Sequence, residues 1–299
     1  MKKIVITGSN GLLGQSLLDL FLGDKTYQIV ALSRGESRYP IKDGYDYVDC
    51  DLTDFEKLQE IVLEKQPDYI INTAAMTNVD ACEEYREECD EINVQLVEYL
   101  TSLSEKMNSH LIHISTDFIF DGKEGFYKET DQPNPLSYYG VSKLKSEQIL
   151  EKSSINFTIL RTILVYGKVH DMSRSNIVLW VRKMLLGEKE ITIVDDQFRM
   201  PTYVKDLALA CKTSVDKNAK GVFNVSSNTL LSVYEIAQQI AEVFELEAKY
   251  IKPISTSVLN QRAIRPSKTG FNLNKTQEVL SLELKSFKED LQRFKEDIT

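Results

Sequence analysis

The sequence predicts an α/β fold, a doubly wound parallel sheet with a smaller C-terminal lobe built onto it. Two observations carry that reading. Short apolar runs alternate with longer stretches of helical periodicity through the first half of the chain, and a glycine-rich turn directly follows the first run. Strands of a parallel sheet are covered on both faces, so they read as near-continuous apolar runs, not alternating ones. In order, the strands are expected at 3–7, 28–33, 69–72, 111–115 and 156–161, with helices over 12–22, 55–65, 79–107 and 138–152 between them. This βαβα alternation places ligands at the carboxyl ends of the strands.

The second half is less regular. An amphipathic stretch covers 177–186, a helix lies near 206–215, a strand at 222–225 and a helix at 233–244. The segment 252–271 is rich in Pro, Ser and Arg and reads as a loop. Leu284, Phe287, Leu291 and Phe294 then recur at helical spacing, as a stripe packed on the core. No internal repeat or low-complexity linker interrupts the chain.

With 42% hydrophobic and 27% charged residues, the 299-residue chain has the composition of a globular protein. Its net charge of −9, without a basic stripe, argues against nucleic acid as a partner, because neutralising phosphates requires clustered Lys and Arg. The four cysteines, Cys50, Cys82, Cys89 and Cys211, form no CxxC pair or zinc spacing, and the three histidines are scattered. No metal site is expected. The first strand follows Met1 without a leader, and the apolar runs fall short of the ~20 residues that span a bilayer. A cytoplasmic protein without a membrane partner is the expectation.

Gly8-Ser9-Asn10-Gly11-Leu12-Leu13-Gly14 follows a strand and opens a helix. Glycines there permit a tight turn and close approach of a diphosphate, which the free N–H groups and dipole of the helix N-terminus stabilise. The spacing is GxxGxxG, and it marks a Rossmann-type dinucleotide site. Residues 1–165 are accordingly assigned to a dinucleotide-binding domain, with 203–226 packing back on it, and 166–299 to a substrate-binding lobe. The second strand ends at Leu32-Ser33-Arg34, without the acidic residue that would select NAD. Ser33 and Arg34 suit the 2′-phosphate of NADP, so NADP(H) is preferred and NAD(H) remains usable.

Tyr139 and Lys143 stand four residues apart in Tyr139-Gly140-Val141-Ser142-Lys143, one helical turn from each other. A tyrosine with its ordinary pKa of about 10 is a poor acid–base group at neutrality, and a neighbouring ammonium is expected to lower it. Lys143 can also hold the nicotinamide ribose. Ser115-Thr116-Asp117 closes the strand at 111–115 and supplies a hydroxyl.

Together these segments resemble the extended short-chain dehydrogenase/reductases, and within them the dTDP-4-dehydrorhamnose reductase family. The matching stretches include 7–14, Asn72-Thr73-Ala74-Ala75, Ile92-Asn93-Val94, 115–122, 135–143, 161–167, 196–202 and Arg265-Pro266-Ser267. The resemblance implies that Thr116 binds the substrate carbonyl, Tyr139 protonates the forming alkoxide, and Lys143 tunes Tyr139 and binds ribose. It further implies that Gly8, Asn10, Gly11, Leu12, Leu13, Gly14, Ala74, Ala75 and Asn93 line the cofactor, with Asp51 and Leu52 at adenine. The reaction implied is reduction of the C4 ketone of dTDP-4-dehydro-L-rhamnose, a nucleotide-linked sugar. On the substrate side stand Gln197, Arg199, Thr202 and Arg265, the last assigned to the diphosphate. Asp117 orients Thr116, touches the sugar, or is a purely structural turn residue.

Two positions depart from the family pattern. Leu164 stands where those reductases carry a tryptophan against the sugar, and Met76 where they often have tyrosine. Another nucleotide-linked 4-ketosugar therefore stays open, as does a homodimer. A dehydratase is disfavoured, since Asp117 is followed by Phe118 and not by a second acid. A 4-epimerase would consume no cofactor overall. The remaining alternative is a non-catalytic, NADP-binding regulatory subunit resembling that of methionine adenosyltransferase, against which the retention of Thr116, Tyr139 and Lys143 argues.

Overall fold

The Ile4-Val5-Ile6 run is fully buried, and it forms part of β1 (Lys2–Thr7), a central strand of the sheet. The computed structural model describes residues 1–171, 175–259 and 261–298. From β1 the chain passes through α1 (Leu12–Phe21), β2 (Tyr27–Ser33), β3 (Asp46–Asp49), α2 (Phe55–Lys65) and β4 (Tyr69–Asn72). It continues through α3 (Val79–Glu84), α4 (Arg86–Asp90), α5 (Leu96–Met107), β5 (His110–Thr116), α6 (Tyr138–Lys152), β6 (Phe157–Thr162) and β7 (Val165–Tyr166). Next come α7 (Ile177–Leu186), β8 (Ile191–Val194), β9 (Phe198–Arg199), β10 (Thr202–Tyr203), α8 (Val204–Lys217) and β11 (Gly221–Val225). The last elements are β12 (Leu231–Ser232), α9 (Val233–Val243), β13 (Ile251–Ile254), α10 (Asn274–Leu280) and α11 (Phe287–Ile298).

Seven strands form one parallel sheet in the order β11-β6-β5-β4-β1-β2-β3. The winding direction reverses between β1 and β4, which opens a crevice beyond their carboxyl ends. Apolar side chains cover both faces of the sheet. Leu17 and Phe21 of α1 pack with Leu207 and Cys211 of α8 on one side, and Leu58, Val62, Leu96 and Leu100 lie on the other. A separate cluster joins α7, α9 and α11 through Val181, Ile236, Ile240, Leu291 and Phe294. Among the described residues, no helix is long and apolar enough to cross a membrane.

The strands expected from apolar runs are present, and α2, α6 and α7 begin and end where periodicity places them. Three expectations need correction. Asp46–Asp49 forms an edge strand, β3, that its two acids and short apolar content concealed. The helix expected over 79–107 is broken at Tyr85 (φ −116°, ψ 65°) and passes through a π-helical turn at Glu91–Gln95. The Asn93 amide explains the turn: it accepts from the Met76 N–H at 2.9 Å and donates to the Met76 carbonyl at 3.1 Å, tying the helix to the loop after β4. Finally, 252–271 is not all loop, because β13 pairs with β8 at the edge of a two-stranded ribbon, where Pro253 is tolerated.

Candidate active site

Gly8 adopts φ +67°, a left-handed conformation costly for other residues, and a Cβ there would come within 2.9 Å of the Thr73 hydroxyl. At Gly14 a Cβ would lie 2.5 Å from the Ser9 Cα. Gly11 caps α1, and among the described residues no side chain bonds the amide end of the helix. Beside it the Ser9 hydroxyl is buried without a partner among the described residues. A bare helix N-terminus and an orphaned donor suit the diphosphate of a dinucleotide.

Asn10 shapes the adenosine end. Its amide nitrogen donates to the Arg34 and Glu36 carbonyls at 3.3 and 3.0 Å, and its oxygen accepts from the Arg38 N–H at 2.8 Å. The loop after Ser33 is thereby held over the crevice. The Arg34 guanidinium is exposed and 3.5 Å from the Asp51 carboxylate. Leu52 is buried, whereas Ala74 and Ala75 are half-buried on the loop after β4. Asn93 reaches that loop, and also donates to the Ser142 hydroxyl of α6 at 3.0 Å.

Ser137 starts α6 by accepting from the Gly140 N–H at 3.3 Å. Gly140 lets this helix end press on the turn after β5, since a Cβ there would sit 2.2 Å from the Phe118 carbonyl oxygen. Tyr139 is thus brought beside Thr116, whose hydroxyl acts on its phenol. Thr116 also accepts from the Phe118 N–H at 3.2 Å and donates to Asp117 Oδ1 at 3.1 Å. The other Asp117 oxygen accepts from Thr269 and lies 4.0 Å from Arg199 Nε. Burial pushes the Asp117 carboxyl up, with Arg199 the chief opposing influence.

The expected pairing of phenol and ammonium is not what the structure shows. Burial raises the Tyr139 phenol well above its ordinary value, against the Thr116 hydrogen bond. Lys143 is buried, and its Nζ stands 2.9 Å from His113 Nε2 on β5. Burial brings its ammonium down to about 8, with Glu147 and Cys89 pulling the other way. His113 was not foreseen: a lone histidine inside an apolar strand run gives no sequence signal of chemistry.

Of the substrate-side residues, Arg199 and its partner Gln197 lie against Pro266, whereas Thr202 does not. Arg199 is buried, donating to the Pro266 carbonyl and to the Phe198 carbonyl, each at 2.7 Å, and Gln197 accepts from it at 3.3 Å. Arg265 is engaged by Asp80 of α3 at 2.6 and 3.3 Å. Thr202 is buried, and its hydroxyl bonds Thr162 and the Ile163 and Val225 carbonyls, an arrangement that joins β6 to β10. Leu164 holds φ +43° between β6 and β7 with its side chain partly exposed.

The chain is 30% identical to dTDP-4-dehydrorhamnose reductase of Aggregatibacter actinomycetemcomitans, over 95% of each chain. It is also 30% identical to methionine adenosyltransferase 2 subunit beta of Bos taurus, over 86% of this chain and 76% of that one. Among solved structures, dTDP-4-dehydrorhamnose reductase of Bacillus anthracis in complex with NADP superposes with a TM-score of 0.88 at 29% identity, covering 99% of this chain and 100% of that one. The family model for the RmlD substrate binding domain matches residues 1–299, and the chain belongs to that family.

Proposed function

We propose that the protein is an NADPH-dependent reductase of the C4 ketone of a nucleotide-linked sugar, with dTDP-4-dehydro-L-rhamnose as substrate and dTDP-L-rhamnose as product. The observation that carries this reading is the placement of Tyr139 beside Thr116, the residue that closes β5. The cofactor, when bound, supplies the hydride. Thr116 orients the carbonyl by turning its one hydroxyl proton from Asp117 to the carbonyl oxygen. Tyr139, whose burial keeps the phenol protonated near neutrality, gives its proton to the developing alkoxide. Asp117 fixes the Thr116 hydroxyl from behind. Gly8, Gly11, Leu12, Leu13 and Gly14 take the diphosphate, Arg34 the 2′-phosphate, and Lys143 the nicotinamide ribose. On the substrate side, Arg265 meets the nucleotide diphosphate after exchanging Asp80, and Arg199 with Gln197 and Thr202 bounds the nucleotide or sugar. The four buried, free cysteines suit a reducing cytoplasm.

Supplying NADPH and dTDP-4-dehydro-L-rhamnose tests the reading: absorbance loss at the nicotinamide and formation of the 4-hydroxy sugar should be equimolar. A second reading is favoured by the identity to methionine adenosyltransferase 2 subunit beta: the chain binds NADP(H) and serves a partner enzyme without turnover. Absence of reduction with every 4-ketosugar, with tight NADPH binding and co-purification of another enzyme, would select it.

A further inference from the structure

Behind the cleft, a buried chain of polar groups runs from β1 through β4 and β5 to α6, and it fixes which nitrogen of His113 carries the proton. Asn72 Oδ1 accepts from the Thr7 hydroxyl at 2.6 Å and from the Ala74 N–H at 3.3 Å. Its Nδ2, a donor only, therefore faces His113 Nδ1 at 3.3 Å. Nδ1 must present its lone pair, so the proton of a neutral imidazole lies on Nε2. Burial keeps the ring neutral, holding its pKa well below the usual histidine range. Nε2 in turn faces Ser146 Oγ at 3.0 Å and Lys143 Nζ at 2.9 Å. The Ser146 hydroxyl donates to the Lys143 carbonyl at 2.7 Å, so its oxygen accepts from Nε2–H. An ammonium at Lys143 would set N–H against N–H across that 2.9 Å contact. A neutral amine presents a lone pair instead, and shares the Nε2–H with Ser146.

We propose that His113 is a positioning residue that favours the neutral amine of Lys143 in the free protein at alkaline pH, and that there Lys143 takes up a proton and turns to the nicotinamide ribose when the cofactor binds. The inference rests on the reductase reading for the ribose contact, but its resting state does not. The other groups facing Lys143 are few. Glu147, one turn on along α6, is held by Arg161 of β6 at 2.6 Å, and Cys89 of α4 stands on the far side. Glu147 is thus already neutralised. Burial of the ammonium acts in the same direction as the imidazole N–H. Ribose hydroxyls are acceptors, and a charged ammonium donates to them where the imidazole could not receive it.

The test has two arms. In the free protein, NMR of labelled lysine side chains, with the Lys143 signal identified by its loss in Lys143→Met, should show that lysine titrating at or below about pH 8. In His113→Gln, whose amide oxygen can accept from an ammonium, it should move up toward the ordinary lysine range of about 10.4. Calorimetry of NADPH binding in two buffers of different ionisation heat should then show uptake of close to one proton per site at about pH 9. That uptake should be lost in His113→Gln. A Lys143 signal titrating with the surface lysines in the native protein overturns the proposal, as does NADPH binding at that pH without proton uptake. Should NADPH fail to bind at all, the reductase reading falls, while the titration still decides the resting state. Should His113→Gln not fold, the native titration and uptake decide alone.

Discussion

At the scale of single residues, the site separates a proton donor from a cation. Tyr139 is buried beside Thr116, and burial keeps its phenol protonated, as an acid in a reduction requires. Tyr139→Phe should lower kcat by about 10²–10⁴ with NADPH affinity retained, measured by single-turnover kinetics and fluorescence binding. Equal losses of kcat and cofactor binding would show a structural role instead. Lys143 bears on stability as well. Its folded pKa of about 8 lies below the 10.5 of an open lysine, so the folded state carries a cost of about 3 kcal/mol wherever both forms are protonated, below pH 8. Between pH 8 and about 10 the unfolded chain binds more protons at this position, and stability rises with pH on its account. Lys143→Met should accordingly be inactive yet more stable than the native protein at pH 7, and the gap in denaturant midpoint should narrow by pH 10. Arg34→Asp should weaken NADPH far more than NADH, because an exposed guanidinium is exchanged for the acid that favours a free ribose hydroxyl.

At the scale of elements, close approach of α6 to the turn after β5 creates the Thr116–Tyr139 contact. Gly140→Ala places a methyl 2.2 Å from the Phe118 carbonyl, a backbone atom that cannot step aside. The substitution should cost about 1–3 kcal/mol in urea unfolding and lower kcat more than it raises KM, since it parts the two hydroxyls. This geometry shows what was legible in the sequence. The helix expected over 138–152 starts and stops there, because its periodicity is local. The break between α3 and α5 was not legible, because no Gly or Pro marks it. It follows from Asn93 gripping Met76 across 17 residues. The orientation of Lys143 was equally hidden, since its partner His113 lies 30 residues away on another element and its protonation is set from β1 and β4. Spacing along one helix showed that Tyr139 and Lys143 share a face. It could not show which neighbour each would choose.

At the scale of the whole molecule, the sheet was legible because parallel strands covered on both faces must be apolar, and β1, β4 and β5 are. The strand at its acidic edge and the short ribbons of the second half were not, because two-residue strands carry no period. One buried ion pair helps join the catalytic helix to the sheet. Arg161 of β6 meets Glu147 of α6 through contacts of 2.6, 3.1 and 3.2 Å, with side chains 3% and 1% exposed, and donates to the Glu129 carbonyl. Glu147→Ala leaves that guanidinium buried and unpaired, and should destabilise by about 3–5 kcal/mol in chemical denaturation. Arg199 of β9 reaches to within 4.0 Å of Asp117 in the turn after β5, which joins the second half to the end of this sheet.

A single measurement bears most directly on that arrangement: stopped-flow NADPH oxidation with dTDP-4-dehydro-L-rhamnose, run on the native protein and on Tyr139→Phe preloaded with cofactor. A proton-donating phenol beside a bound nicotinamide requires rapid, stoichiometric oxidation in the first and a rate at least a hundredfold slower, by roughly the general-acid contribution, in the second. Equal rates in both, or no oxidation by a native protein that binds NADPH, would contradict it.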